Sequence, residues 1–493
     1  MKGYSLGIDV GSSSVKVSLL DIATGQCIAS STNPSSEAAI KALRKGWAEQ
    51  NPESWWEYIC EGVRDIATRQ DVSKVVSVGI TYQMHGLVAV DGSIKPVRDS
   101  IIWCDSRAVE IGAEALLAIG YDRCMSHLLN SPGNFTASKL AWVKRNEPDI
   151  YKKIYKFMLP GDYVAYKFSG EVATTCTGLS EQILWNFKDS CRADFVADYY
   201  GIGKELFPDI VPAIGYQCRT SAEVESLLGI PAGTPVCYRA GDQPNNAFSL
   251  NVLNPGEIAT TGGTSGVVYG VTDVPKADSG SRVNTFLHVN DTEAAHRYGV
   301  LLCINGTGIM NSWVHHNVTP SLSYADMNTQ AACVPPGSDG LLVLPFGNGA
   351  ERVLENRSIG ARMVGLDLVR HKSAHVLRAV QEGIAFSFRY GIDVMKGLGL
   401  DLKVIRAGKA NLFLSPLFRT TLSTLTGASI ELFNTDGSLG AARGGALGAG
   451  IYSTPEEAFA TLTKVDEIHP EDSWAEPLEQ AYANWKSELE KSL

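Results

Sequence analysis

The sequence lacks the features that mark membrane, nucleic-acid-binding and zinc-binding proteins. No stretch approaches the about 18 consecutive apolar residues of a membrane span, and Asp9 interrupts the N-terminal apolar run before a signal-peptide core could form. Asp and Glu outnumber Lys and Arg by 53 to 43, which gives no general attraction to nucleic acid or anionic lipid. None of the ten cysteines forms a Cys-x-x-Cys pair, so we expect reduced thiols in a cytoplasmic protein.

The composition is that of an ordinary globular protein. Hydrophobic residues occupy 44% of the 493 positions and charged residues 19%, which argues against disorder, collagen-like repeats and coiled coils. At about 100–200 residues per domain, a chain of this length is expected to form roughly two to four domains.

Apolar periodicity in the first half predicts a strand hairpin followed by alternating helix and strand. Two apolar runs within residues 4–21 flank the small polar turn 11–14, and a third short run follows at 27–30. Residues 51–67 begin with Asn-Pro and carry apolar side chains at helical spacing, ahead of a strand-like run at 75–81. This order is typical of an α/β layer.

A second region repeats the pattern and suggests a second, related α/β domain. Residues 257–272 again read as strand, Gly/Ser/Thr tip and strand, residues 375–395 as a helix, and residues 404–408 as a short strand that ends on glycine. Periodicity alone does not establish that the two regions are duplicates.

We expect two domains, residues 1–245 and residues 246–493, that face one another across a cleft. The segment 231–246 is rich in Pro and Gly, and it is where the chain is expected to cross between them. The tail from 454 to 493 is charged and helical in pattern, and we expect it to pack back on the body.

The first hairpin tip combines the residue types that bind an anion. Gly11, Ser12 and Ser13 expose backbone N–H groups and hydroxyl donors, and Lys16 adds a positive charge. Asp9, just before the tip, is placed to hold a hydrated Mg²⁺, which prefers one or two carboxylates together with phosphate oxygens. Plain hairpins have similar tips, so a purely structural turn stays open.

The second tip, residues 260–266, has the same character with more glycine. Glycine lets a backbone approach a phosphate closely, so the two tips together predict a clamp on one polyphosphate. Between them, Asp242 ends a strand-like run, where a general base would take a proton from an attacking hydroxyl. The alternative for Asp242 is a cap on the helix that follows.

Eight segments occur in an order that resembles one protein family. They are GIDVGSSSVK (7–16), GWAEQNPESWW (46–56), YQMHG (82–86), IIWCDSR (101–107), FTASKLAWVKRNEP (135–148), AGDQPNNA (240–247), TGGTSG (261–266) and DGSLGAARGGALGAG (436–450). Over essentially its full length the chain resembles the FGGY carbohydrate kinases, and within that family it is most similar to the kinases that act on D-xylulose.

The resemblance implies a fold and an activity. The fold is α/β, with two ribonuclease-H-like domains of the actin-like ATPase superfold and a central cleft. The activity is transfer of the ATP γ-phosphoryl group to a sugar hydroxyl, with Mg²⁺ as cofactor and the 5-hydroxyl of D-xylulose as acceptor. The implied partners are a small-molecule sugar and ATP, without nucleic acid or membrane, and a homodimer is left open.

The resemblance also implies roles for individual residues, carried over by matching position. Asp242 becomes the catalytic base and Asp9 the magnesium-associated acid. The implied sugar-site residues are Met84, His85, Trp103, Asp105, Asp242 and Gln243. The implied ATP-site residues are Ser12, Ser13, Lys16, Gly263, Thr264, Gly408 and Asn411.

The sequence departs from the family pattern at two places, and two rival functions stay open. Arg406-Ala407-Gly408 stands where members usually carry Gly-Gly-Gly or Gly-Gly-Ala, and Glu351-Arg352 lacks the Thr-Pro that often follows in xylulose kinases. Both departures bear on nucleotide and sugar preference. One rival is another sugar or polyol kinase, acting on ribulose, glycerol or gluconate. The other is a non-catalytic actin-like protein that binds ATP to change conformation.

Overall fold

The computed structural model describes residues 3–493, which contain both strands and helices throughout. The strands are β1 (Tyr4–Val10), β2 (Val15–Asp21), β3 (Cys27–Asn33), β4 (Glu49–Gln50), β5 (Val75–Tyr82), β6 (Val88–Val90), β7 (Ser100–Ile101), β8 (Lys156–Met158), β9 (Ala173–Thr175), β10 (Trp185–Asn186), β11 (Cys191–Arg192), β12 (Asp209–Val211), β13 (Ile214–Arg219), β14 (Pro235–Gly241), β15 (Glu257–Gly262), β16 (Gly266–Thr272), β17 (Asn284–Leu287), β18 (Tyr298–Ile304), β19 (Leu342–Leu344), β20 (Arg362–Val364), β21 (Val404–Gly408), β22 (Ser429–Phe433) and β23 (Lys464–Ile468).

The α-helices are α1 (Pro52–Ala67), α2 (Val109–Ile119), α3 (Tyr121–His127), α4 (Thr136–Asn146), α5 (Pro148–Tyr151), α6 (Pro160–Ser169), α7 (Cys176–Glu181), α8 (Asp194–Tyr200), α9 (Ala222–Leu228), α10 (Asp242–Ser249), α11 (Gly308–Asn317), α12 (Tyr324–Ala332), α13 (Ser373–Gly397), α14 (Pro416–Thr426), α15 (Gly437–Gly448), α16 (Pro455–Phe459) and α17 (Asp472–Glu490). Short 3₁₀ turns lie at Val72–Lys74, Lys204–Leu206, Ser338–Gly340, Arg352–Leu354 and Asn411–Leu414.

The chain divides into two compact units, and each is assembled from separate stretches. Unit 1 contains the residues up to Asn251, then Phe286–Arg297 and Thr435–Leu462. Unit 2 contains Val252–Thr285, Tyr298–Asn434 and Thr463–Leu493. The division into residues 1–245 and 246–493 uses two continuous stretches, and it stays a prediction.

Unit 1 is built on a sheet with the strand order β13-β14-β5-β1-β2-β3. The first three strands form an antiparallel meander, whereas β5 and β14 join on the other side of β1 in parallel. Helix α1 lies between the meander and β5 along the chain, and its Trp55 is 1% exposed in the core of this unit. The helix begins at Pro52 because the Asn51 side chain accepts the Glu53 N–H at 3.1 Å.

Unit 2 repeats this scheme in its own sheet, with the order β17-β18-β16-β15-β21-β22-β23. Strands β15, β16 and β18 are antiparallel, and β21 and β22 follow in parallel on the other side of β15. Its core includes the 25-residue helix α13 and Trp485 of α17, whose indole N–H donates to the Val343 carbonyl at 2.8 Å. The two units therefore share one ribonuclease-H-like strand scheme.

The sequence located the central elements of both units correctly. The hairpin expected at 4–21 is β1 and β2, and the hairpin expected at 257–272 is β15 and β16. The helices expected at 51–67 and 375–395 are α1 and α13, and the strand expected at 404–408 is β21. None of the helices within residues 3–493 combines the length and the hydrophobicity that a bilayer crossing requires. The ten cysteines are free thiols.

The backbone of helix α15 packs directly against the backbone of the sheet in unit 1. A Cβ atom on Gly7 of β1 would lie 1.8 Å from the Ser438 carbonyl oxygen, and one on Gly79 of β5 would lie 1.8 Å from that of Ala441. Gly445 of the helix would in turn meet the backbone of β5 at 2.7 Å. Glycine is required on both surfaces because no side chain fits between them.

This contact predicts that Gly79→Ala destabilises the protein strongly. The added methyl group meets backbone atoms, which cannot rotate away, so we expect a loss of about 3 kcal/mol or more in the free energy of unfolding. In a thermal melt this corresponds to a fall in Tm of roughly 6–12 °C. Gly92→Ala is the matched control, because a Cβ at Gly92 has nothing within 4 Å. Equal melting temperatures for the two variants would contradict the close packing of α15.

Candidate active site

Acidic side chains gather in unit 1 where α15 contacts β1, β2 and α10. Asp9 lies on β1 opposite Lys16 on β2. The Lys16 Nζ donates to Asp436 Oδ2 at 2.6 Å, and Asp436 caps α15 by accepting the Leu439 N–H at 3.0 Å. Asp242 begins α10 directly after the last strand of the parallel set. The strand ends and helix starts thus bring three carboxylates and one ammonium group together.

Two of the three carboxyl groups in this cluster, those of Asp9 and Asp242, have raised pKa values. Burial, followed by the charges of Asp242 and Asp436, raises the pKa of Asp9 to about 7, although Lys16 acts in the opposite direction. Burial raises the pKa of Asp242 to about 6 against hydrogen bonds that include one from Gln243 Nε2 at 3.1 Å. Neighbouring acids with separately raised pKa values are typical of sites that bind cations or move protons.

The cluster fits a divalent cation that also binds a phosphate. Mg²⁺ usually takes one or two carboxylates and completes its shell with water and substrate phosphate oxygens. In the described chain, no group of three or more His, Cys, Asp and Glu side chains is arranged to hold a metal ion by itself. Asp9 and Asp242 are close enough for the charge of one to raise the pKa of the other. A cation there would need ligands that the protein does not supply.

Met84 and His85 follow β5, next to the end of β14. Met84 is 4% exposed, and a Cβ on Gly241 would lie 2.5 Å from its Cγ. His85 has a φ of 62°, a left-handed conformation that costs a residue other than glycine about 1–3 kcal/mol. Its ring packs edge-on against Phe135 at 4.8 Å and lies 5.5 Å from Phe286. The imidazole is thus enclosed by apolar rings in a strained backbone position.

The hydrogen bond of His85 Nδ1 sets the tautomer of the neutral ring. Nδ1 lies 2.9 Å from the Glu181 carbonyl oxygen. Since a carbonyl oxygen only accepts, Nδ1 carries the proton, and Nε2 is the acceptor nitrogen of the neutral imidazole.

Trp103 and Asp105 have contrasting surroundings. Trp103 is 52% exposed, and its indole N–H donates to Ser12 Oγ at 3.4 Å, beside the first hairpin tip. Asp105 is 1% exposed, and its carboxylate accepts from the Arg107 guanidinium at 2.7 to 3.0 Å and from the Ala48 N–H at 2.6 Å. Both oxygens of Asp105 are therefore bound within the protein.

The second hairpin tip lies in unit 2, beside the start of α11. The Thr264 carbonyl accepts the Ile309 N–H at 3.0 Å, and a Cβ on Gly308 would lie 2.0 Å from the Gly263 carbonyl oxygen. The N-terminus of a helix carries partial positive charge and unpaired N–H groups. Tip and helix start together provide the donors that suit an anion.

A cavity of about 430 Å³ opens from this tip. This volume lies within the roughly 300–1,000 Å³ of small-molecule sites. Its lining residues are Gly262, Gly263, Thr264, Gly308, Ile309, Asn311, Ser312, Tyr324, Asn328, Gln381, Asn411, Leu412, Leu414 and Ser415.

Arg406 on β21 forms two ion pairs, which give this residue a structural role. Its guanidinium pairs with Glu431 on β22 at 2.8 Å and with Glu257 on β15 at 3.4 Å, so it joins three neighbouring strands. Gly408 ends the same strand, and Asn411 begins the turn that lines the cavity.

Unit 1 and unit 2 thus divide the expected site residues between them. Unit 1 holds the first tip, the acids and the expected sugar residues, and unit 2 holds Gly263, Thr264, Gly408 and Asn411. Asp436 has no role among the residues predicted from the sequence, although an Asp that precedes Gly-Ser and a helical run is a recognisable N-cap signal.

Comparisons with known proteins agree with this architecture. Residues 4–249 match the N-terminal domain of the FGGY family of carbohydrate kinases. The xylulose kinase of Bacillus subtilis (strain 168) is 27% identical over 462 residues, which cover 92% of this chain and 90% of that protein. The xylulose kinase structure from Rhodospirillum rubrum superposes with a TM-score of 0.89 at 21% identity, covering 99% of this chain and 98% of that one.

A glycerol kinase is nearly as similar in fold. The Plasmodium falciparum glycerol kinase with ADP has a TM-score of 0.88 at 19% identity, covering 100% of this chain and 98% of that one. The chain belongs to the FGGY family of carbohydrate kinases and is a sugar kinase that uses ATP and a divalent metal. The expected α/β fold class, with two ribonuclease-H-like sheets, is confirmed.

The raised pKa of Asp9 predicts a pH-dependent gain in stability for Asp9→Asn. The folded protein holds the Asp9 proton up to about pH 7, whereas the ordinary carboxyl value is 3.8. Folding therefore becomes less favourable as the pH rises between these values, and the full cost applies above pH 7. Because asparagine never ionises, we expect a larger rise in Tm at pH 8 than at pH 5.

The melts are made without divalent cations, because a bound cation would offset the charge. Asp149→Asn serves as control, since its side chain is 90% exposed. A gain for Asp9→Asn that is the same at both pH values would show that Asp9 does not carry a raised pKa.

Proposed function

We propose that this protein transfers the γ-phosphoryl group of ATP to the 5-hydroxyl of D-xylulose, with Asp242 as general base. The observation that carries the proposal is the position of Asp242: it is partly buried, begins α10, and lies beside both Asp9 and the Met84–Gly241 contact. A conformational ATP-binding protein would not need a base with a raised pKa beside the proposed sugar-site residue Met84. The xylulose kinases among the relatives support the choice of sugar.

In the proposed reaction, Asp242 accepts the proton as the sugar oxygen attacks the γ-phosphorus. The new O–P bond forms while the bond between the γ-phosphorus and the β,γ-bridging oxygen breaks, so that ADP leaves. A pKa of about 6 keeps Asp242 mostly ionised at pH 7 and still basic enough to assist.

We propose that the sugar is bound in unit 1. The acceptor nitrogen Nε2 of His85 takes a hydrogen bond from a sugar hydroxyl, and Met84 forms an apolar wall. Trp103, Asp105 and Gln243 are proposed as further sugar-site residues. For Asp105 the role is to hold the Trp103–Arg107 segment, because its carboxylate is bound to Arg107 and Ala48.

ATP-binding residues are proposed in each of the two units. Ser12, Ser13 and Lys16 contribute from the first tip, and Gly263, Thr264, Gly408 and Asn411 contribute from unit 2. Asp9 is the proposed Mg²⁺ ligand. When bound, Mg²⁺ neutralises charge that develops on the phosphate oxygens. Since ATP is a co-substrate, we propose a cytoplasmic location.

Asp242→Asn is predicted to abolish most turnover without loss of nucleotide binding. Asparagine has nearly the same shape but cannot accept the proton, so we expect kcat to fall by about 10²–10⁴-fold. ATP affinity, measured by calorimetry, stays close to that of the parent. In the parent, kcat/KM falls about tenfold per pH unit below pH 6, because protonated Asp242 is inactive. Near-normal turnover of the variant, or no acid limb in the parent, would remove Asp242 from this role.

The sugar assignment predicts a substrate order and two unequal variants. The parent protein prefers D-xylulose to D-ribulose, glycerol and gluconate at equal concentration, measured by ADP release. His85→Ala lowers kcat/KM for D-xylulose by about 10-fold or more, because a hydrogen bond worth about 1–3 kcal/mol is lost. Met84→Leu, which keeps an apolar wall of similar volume, has a much smaller effect.

Each outcome of the sugar panel decides something different. A better substrate among the other three would overturn xylulose and leave the kinase assignment standing. If none of the four compounds supports ADP release, sugar phosphorylation by this site is overturned. Equal losses for the two variants would contradict the division between polar contact and apolar wall.

A further inference from the structure

His85 occupies a backbone position that its own residue type does not favour. Its φ of 62° lies in the left-handed region, where glycine is favoured and where β5 has just ended. A residue in this region persists only when surrounding contacts hold it there. The following residue, Gly86, has no room for a side chain, because a Cβ would lie 2.8 Å from Pro160 Cγ.

Glu181, the last residue of α7, accepts two hydrogen bonds from His85. Its carboxylate oxygen Oε2 accepts the His85 N–H at 2.9 Å, and its carbonyl oxygen accepts from Nδ1 at 2.9 Å. The other carboxylate oxygen accepts from the Tyr82 hydroxyl at 2.6 Å. One residue therefore holds both the backbone N–H and the ring of His85.

Lys139, on α4, binds the backbone carbonyl group of His85. Its Nζ donates to the His85 carbonyl at 2.7 Å and to the Ile102 carbonyl at 3.0 Å. Lys139 is 0% exposed and Glu181 is 2% exposed. Lys and Glu side chains are rarely buried unless their polar atoms make hydrogen bonds or ion pairs, because removing an ionisable group from water is costly.

We propose that Glu181 and Lys139 are positioning residues for sugar recognition, because together they fix the backbone and the ring of His85 through its N–H, C=O and Nδ1 atoms. The proposal rests on the sugar-binding role of His85 proposed above. Neither residue needs to touch the sugar. Their effect on the reaction passes through His85, and that is what separates them from residues that only stabilise the core.

The test is a double-mutant cycle between Glu181 and His85. Glu181→Met removes both acceptor oxygens of the side chain at similar length, and kcat/KM for D-xylulose is expected to fall about 10-fold through a higher KM, with KM for ATP unchanged within about twofold. Glu181→Gln keeps an acceptor for the His85 N–H and recovers activity to within about threefold of the parent. The double variant Glu181→Met/His85→Ala is no worse than His85→Ala alone.

Lys139→Met provides a second, independent arm of the same cycle, should Glu181→Met fail to fold. The matched control is Glu382→Gln on α13, another buried carboxylate, which accepts from Arg378 and Ser338. This control is expected to lower Tm without changing the KM for D-xylulose. Melting temperatures are recorded for every variant, and kinetics are measured well below the lowest.

Three results would overturn the proposal. One is parental xylulose kinetics in Glu181→Met and Lys139→Met while His85→Ala is impaired. Another is a double variant whose loss equals the product of the two single losses, because Glu181 would then act independently of His85. The third is His85→Ala with parental kinetics, which also removes His85 from the proposed function and is therefore distinguishable from the other two.

Discussion

The direct contact between α15 and the sheet of unit 1 sets the geometry on which the acidic site depends. A Cβ on Gly437, the first residue of this helix, would lie 2.3 Å from Asp9 Oδ2. The Gly437 carbonyl accepts from Asn245 of α10 at 2.9 Å, and Asp436 just before it binds Lys16. A helix held further from the sheet would separate these groups. The glycines of residues 436–450 are therefore required because they allow the start of α15 to lie close to Asp9 and α10.

The same contact brings the carboxylates of Asp9 and Asp436 together, and the positive charge of Lys16 offsets their repulsion only in part. Burial alone would raise the pKa of Asp436, but hydrogen bonds from Lys16 and Ser438 outweigh it and hold that pKa below its ordinary value. The pKa of Asp9 stays raised because Lys16 offsets only part of the burial and repulsion. The pKa of Asp242 stays raised because its hydrogen bonds offset only part of the effect of burial. A site of this kind is unfavourable for the empty fold and favourable once a cation and a phosphate are bound. Stability and activity are often opposed in this way.

Local sequence signals were sufficient for the elements, and long-range contacts were not visible in them. The turn at 11–14 predicted the β1–β2 hairpin, and the Asn51 cap with its apolar spacing predicted α1, because both depend on neighbours along the chain. The return of the chain to unit 1 at Thr435 depends on glycines more than 350 positions apart in sequence, Gly79 and Gly445, whose backbones meet only in the fold. Periodicity carries no trace of such a pairing.

In the site, too, some residues are predicted from local sequence and others are found only through their contacts in the fold. Asp9 and Asp242 follow from their positions at strand ends, and His85 follows from the family resemblance. The partners Glu181 and Lys139 lie on helices whose sequence patterns give no reason to single them out, because their importance comes from what they contact. Fold similarity does not select the sugar either, since a glycerol kinase and a xylulose kinase superpose on this chain almost equally well.

We propose that the acids of unit 1 direct the phosphoryl group to a sugar hydroxyl and not to water. Phosphorus NMR of the complete reaction mixture, with purified protein, ATP, Mg²⁺ and D-xylulose, tests this most directly. We expect one phosphomonoester for each ADP, with its phosphorus coupled to the protons on carbon 5 of the sugar. Inorganic phosphate formed in place of that ester would show that the phosphoryl group goes to water.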